Sequence, residues 1–175
     1  MHFALAMMLL TSAPADAKKP PTTPSLQVDK WANLPDGQDS MPLDGKVTVV
    51  LGFSHWCGAC HQFGIPVHQA LEAVYADQAE VQFAYVQPDF GNLPGSAFRL
   101  GLMDIEKAGL NGAYGMEYRK GELPPALVGK YGMQGTPWTL VIGPDGRVLY
   151  SDFTTEPETL VNVISAGVAK AQAGS

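Results

Sequence analysis

KVTVVLGFSHWCGAC, residues 46–60, decides how the chain is read. Its first eight residues are almost continuously apolar and rich in β-branched side chains, the pattern of a strand buried on both faces of a sheet. The chain's only two cysteines, Cys57 and Cys60, follow at once, and apolar residues then recur at Phe63, Val67, Leu71 and Val74 with helical spacing. A helix is therefore expected from about Cys57 to Asp77, kinked at Pro66. VQFAYV, residues 81–86, reads as the next strand, giving a βαβ unit with a parallel pair.

Downstream, SAFRLGLMDIEKAGL (96–110) reads as a helix, and the Gly-rich NGAYGMEYRKGE (111–122) as hiding a short edge strand. PPALVGKYG (124–132) opens with prolines suited to a helix N-terminus and closes on Gly132, suited to a C-cap. PWTLVI and RVLYSDF flank the turn GPDG (143–146) and predict a β-hairpin. Thr155 to Glu158 has the capping-box pattern ahead of a final helix. Upstream, the turn signals LPDGQ and PLDGK predict irregular or hairpin-like structure over residues 26–45. The sum is an α/β sandwich with a mixed sheet.

A length of 175 residues fits one domain, and 46% hydrophobic against 16% charged residues supplies a real core. The formal net charge of -6 argues against nucleic acid or an anionic membrane as partner. FALAMMLL (3–10) followed by Ala15-Asp16-Ala17 reads as a signal peptide over residues 1–17, too short to remain as a membrane anchor. Residues 18–39 then form a Pro-rich linker and irregular segment, and residues 40–172 the folded domain. Export would place the chain in an oxidising compartment such as the periplasm, where a disulfide persists. A staple three residues apart closes so small a loop that it stabilises little, so this spacing favours chemistry.

At the strand-to-helix junction, unpaired N–H groups and the helix dipole favour a thiolate at Cys57. Cys60, almost one turn on, faces inward. Such a pair can attack a substrate disulfide through Cys57 and resolve the mixed disulfide through Cys60. Trp56 is expected to cover the pair, and His61, as imidazolium, is a candidate modulator of the Cys57 thiolate. Pro137, in Gly135-Thr136-Pro137, immediately precedes a strand, where a cis X-Pro bond commonly turns the chain.

Two rival readings use the same residues. Cys57 to His61 spells C-x-x-C-H, the haem-attachment sequence, with Met103, Met116 and Met133 as candidate second ligands. The strand-like run before it speaks against a haem protein, since such domains are all-helical. For a metal, His55, His61 and His68 lie near the cysteines. On an ideal helix Cys57, His61 and His68 share a face, a set suited to Cu(I) or Zn(II).

HWCGAC, GTPWTLVIGPDGRVLY, PLDGKVTVVLGF and LVGKYGMQGTP together resemble the TlpA-like thiol–disulfide oxidoreductases of the thioredoxin superfamily, over roughly residues 40–170. The resemblance implies a thioredoxin-like three-layer sandwich, a mixed central β-sheet flanked by helices, needing no cofactor and no metal. It implies that Cys57 is the nucleophile, Cys60 the resolving thiol and Pro137 a cis-proline packed opposite them. The backbone at Thr136 would pair with an extended substrate, beside Trp56. Partners would be protein thiols or disulfides and a membrane or soluble electron-exchange protein, and the favoured direction is reduction. Related exported proteins of this fold handle copper, which makes copper delivery the alternative. The chain departs from the pattern at Leu51, where thioredoxin carries a buried acid, and at Phe63, where members serving cytochrome c assembly carry a Glu.

Overall fold

A computed structural model describes residues 26–35, 38–91 and 93–173. The expected signal peptide and the first part of the linker lie outside the described residues. Among the described residues, six strands make one sheet: β1 (Lys30–Ala32), β2 (Val47–Gly52), β3 (Val81–Pro88), β4 (Ala113–Glu117), β5 (Trp138–Ile142) and β6 (Val148–Phe153), in the order β1-β4-β3-β2-β5-β6. β2, β3 and β4 are parallel, while β1, β5 and β6 run antiparallel to their neighbours. The helices are α1 (Ile65–Val74), α2 (Ala97–Lys107), α3 (Ala126–Gly129) and α4 (Pro157–Ala173).

β2 lies between β3 and β5 with all six residues buried, which is why its sequence is apolar without alternation. Val47, Val49, Leu51 and Phe53 face one side, in a core with Leu71 of α1, Ile105 of α2, and Leu160 and Ile164 of α4. Val50, Ala84 and Leu140 face the other, against Leu127 of α3 and the N-terminal residues Leu26, Met41 and Leu43. The molecule is thus a three-layer α/β sandwich whose second face is covered by one short helix and an extended segment.

Three expectations are corrected. The strand within the Gly-rich segment, β4, is not an edge, because Lys30–Ala32 pairs antiparallel beyond it, with Trp31 opposite Gly115. Three residues are too few to show a strand period, so β1 left no pattern to read. Pro66 does not simply kink a helix: residues 58–59 are helical, Cys60–Gly64 is a π-turn, and α1 continues from Ile65. Ile65 N–H reaches back to the Cys60 carbonyl, so the wider turn sits just ahead of the proline that cannot donate. The last helix begins at Pro157, two residues beyond Thr155, with proline in the first position where its missing N–H costs nothing.

Candidate active site

The end of β2, the start of the first helical segment and the loop before β5 meet at the C-terminal edge of the parallel strands. Phe53 N–H still bonds to Val86 O at 3.0 Å, extending the ladder one residue past β2. The chain then turns, with Cys57 N–H donating to Ser54 O at 2.9 Å, and enters the helix.

Cys57 and Cys60 are joined as a disulfide. Cys57 directly precedes the helical residues, and its Sγ accepts the Cys60 N–H at 3.0 Å. The sulfur therefore fills the place of an N-cap oxygen and receives one of the donors a helix start leaves unpaired. That same geometry stabilises negative charge on Cys57 when the bond is open. Cys60 is fully buried among Leu51, Phe53 and Leu71, whereas Cys57 is partly accessible.

The Thr136–Pro137 peptide is cis, and Thr136 O lies 3.5 Å from Cys57 Sγ. The Pro137 ring packs on the π-turn: a Cβ added to Gly64 would stand 2.5 Å from Pro137 Cβ. Pro137 O accepts the Thr154 N–H at 3.1 Å, which ties this loop to the end of β6. The GTP signal and the cysteines, 79 residues apart for Cys57 and Thr136, are thus brought into contact. Trp56 is 49% exposed and meets the His55 ring edge-on, at 5.4 Å between centroids.

The histidines separate. His61 is exposed, with Nε2 2.7 Å from His55 O and 3.7 Å from Asp104 Oδ2. His55 Nδ1 is 2.6 Å from the same carboxylate oxygen, and its backbone N–H donates to the buried Gln87. His68 is fully buried beneath the sheet with Nε2 3.1 Å from Thr139 Oγ1, so the expected shared face of Cys57, His61 and His68 is not formed. The π-turn adds a residue to one turn and rotates His68 out of phase with His61. Burial holds the His68 pKa down, at about 3 against 6.5.

The position six before Cys57, Leu51, is apolar and fully buried, and faces Thr139 across the β2–β5 ladder. Phe63 is half-buried against the same core. The polar group next to Leu51 is therefore the His68–Thr139 pair, with Thr139 Oγ1 2.9 Å from Thr154 Oγ1. The haem reading fails on the fold: the two sulfurs are bonded to each other beside a six-stranded sheet, and Met116 and Met133 are buried.

Sequence reasoning missed Asp104, Gln87 and Glu117. A lone acid on an amphipathic helix carries no local signal that it will reach another element. Glu117, 1% exposed at the end of β4, accepts the Leu127 N–H at 3.0 Å, and burial pushes its pKa up to about 7. A cavity of about 600 Å³, lined by Lys46, Glu72, Tyr75, Gln82 and Asn111, lies at the opposite end of the strands from the cysteines.

No family model matches the chain, and no curated protein matches it by sequence. Solved structures do. A thioredoxin-like superfamily protein superposes with a TM-score of 0.71 at 23% identity, covering 83% of this chain and 95% of that one. The fold is thioredoxin-like. A thiol-disulfide isomerase from Corynebacterium glutamicum gives 0.70 at 21% identity, over 85% and 97% of the two chains. A thiol:disulfide interchange protein of the thioredoxin family from Chlorobium tepidum gives 0.54 at 18% identity, over 74% and 86%. Within this thioredoxin-like fold, no helix among the described residues is long and apolar enough to cross a membrane.

Proposed function

We propose that the chain is an exported, periplasmic thiol–disulfide oxidoreductase that reduces or exchanges disulfides in other proteins. The observation that carries this is the setting of Cys57: its sulfur receives the Cys60 N–H at the helix start and lies beside the carbonyl that precedes cis-Pro137. The similar structures named as a thiol-disulfide isomerase and an interchange protein support the same reading. Export rests on residues 1–17.

In the reductive direction, the Cys57 thiolate attacks one sulfur of a substrate disulfide. That bond breaks, one substrate thiolate leaves, and a mixed disulfide forms. Cys60 then loses its proton and attacks Cys57 Sγ, releasing the second substrate thiolate. Two electrons have passed to the substrate, and the chain is left with the Cys57–Cys60 bond seen here. An electron-donating protein thiol pair must reduce that bond again, its own two sulfurs becoming a disulfide. Thr136 pairs its backbone with an extended substrate segment, Pro137 keeps that segment alongside Cys57, and half-exposed Trp56 lines the approach. His61, whose Nε2 is directed to His55 O and Asp104, is the candidate modulator of that thiolate.

The reduced chain is expected to accelerate reduction of insulin by dithiothreitol, and Cys57→Ser to return the rate to background. A native chain no faster than background would refute the assignment. Equilibration of the pair with glutathione then fixes the direction: a potential near that of thioredoxin marks a reductant, and one more than about 100 mV higher an oxidant.

A further inference from the structure

We infer that His55, His61 and Asp104 form a binding site for a borderline divalent cation of the Zn²⁺ class. The three come from separate parts of the fold: the turn after β2, the π-turn and α2. One ligand atom from each lies within 4.8 Å of the other two. The Asp104 oxygen is central, 2.6 Å from His55 Nδ1 and 3.7 Å from His61 Nε2.

Nitrogen and carboxylate ligands bond such an ion at about 2.0–2.2 Å, which sets ligand atoms roughly 3–3.5 Å apart. The two measured separations bracket that spacing. His61 must swing inward, giving up its contact with His55 O, and the His55–Asp104 pair must open slightly from hydrogen-bonding distance; the His61 side chain is 40% exposed, so little packing opposes its movement. His55 is fixed from behind, because its backbone N–H is held by Gln87, whose amide also donates to Ala97 O at the start of α2 at 3.3 Å. These bonds tie the turn that carries His55 to the start of α2, the helix that carries Asp104.

Two imidazoles and one carboxylate select Zn²⁺, Co²⁺ or Cu²⁺ over the soft Cu(I), which prefers sulfur. Three protein ligands leave at least one coordination position open. A cavity of about 500 Å³ lined by His55, Met103, Asp104, Glu106 and Lys107 adjoins the site and gives the ion a route in. This set differs from one built on His68 and the cysteines, because it needs neither sulfur and is complete in the disulfide form.

The test uses tag-free, oxidised full-length chain titrated with Co²⁺ and, by calorimetry, with Zn²⁺. One ion per chain is expected, with the visible absorption of nitrogen and oxygen ligation and no thiolate charge-transfer band. The Cys57→Ser/Cys60→Ser double variant should bind as the native chain does. Asp104→Asn and, at the exposed position, His61→Ala should each weaken binding roughly tenfold or more. The inference is overturned by no binding at millimolar metal, by full affinity in both ligand variants, or by binding that vanishes with the cysteines. None of these outcomes bears on disulfide exchange, which is assayed without metal.

Discussion

Alanine at position 64 is expected to damage stability and exchange together. The Gly64 backbone is ordinary helix, with φ -58 and ψ -51, so a side chain meets no torsional objection there. The obstacle is space: the new Cβ would stand 2.5 Å from Pro137 Cβ and 3.1 Å from its Cγ, and a proline ring cannot rotate away. The π-turn and the Thr136–Pro137 loop must move apart, at a cost of about 1–3 kcal/mol for overpacking. Because those two elements hold Cys60 and the backbone beside Cys57, insulin reduction should fall with the denaturation midpoint. Gly58→Ala is the control for stability. Nothing lies within 4 Å of its added Cβ, so the change should be neutral or stabilise the helix by up to about 1 kcal/mol. A Gly64→Ala chain as stable and as active as the native one would mean that the helix and Pro137 do not touch as described.

The second large effect concerns two buried titratable groups that pull in opposite directions. His68 has a folded pKa of about 3 against 6.5, so its burial costs stability as pH falls below 6.5. By pH 4 that cost reaches about 3 kcal/mol. Glu117 has a folded pKa of about 7 against 4.5, so its burial costs stability as pH rises above 4.5, again about 3 kcal/mol by pH 8. Burial dominates both shifts. Neither His68 Nδ1 nor Glu117 Oε1 has a hydrogen-bond partner among the described residues. The two pH slopes offset each other, so the summed cost stays near about 3 kcal/mol and varies by less than about 1 kcal/mol between pH 4 and 8.

Single variants should expose each slope. His68→Leu leaves Glu117 alone, so its stability should decline with rising pH relative to the native chain. Glu117→Gln leaves His68 alone and should gain stability over the same range. Urea denaturation at pH 4, 6 and 8 reads both. Parallel curves for the native chain and the two variants would show that these groups titrate normally.

The central part of the fold was legible for a physical reason. β2 and β3 are buried on both faces and the β5–β6 hairpin is closed by GPDG, so burial and turn chemistry write themselves into local sequence. β1 and β4 were not so legible. Lys30–Ala32 is a strand only because β4 offers it a ladder, and the one glycine of β4, Gly115, stands where Trp31 and Val28 pack close.

At the site, the cysteines and the GTP segment were readable as motifs, whereas the histidines were misplaced. A straight helix put His61 and His68 on one face, but the π-turn ahead of Pro66 turned His68 into the core. Asp104 was invisible for a different reason: only the packing of α2 beside the turn after β2 brings it to His55.

The most direct measurement of the central claim is to trap the exchange intermediate. Cys60→Ser chain, reduced and mixed with an unfolded disulfide-bonded protein, should accumulate a mixed disulfide that mass spectrometry maps to Cys57. The Cys57→Ser chain should accumulate none. A mixed disulfide carried through Cys60 at a comparable rate, or no adduct from either variant, would contradict the account.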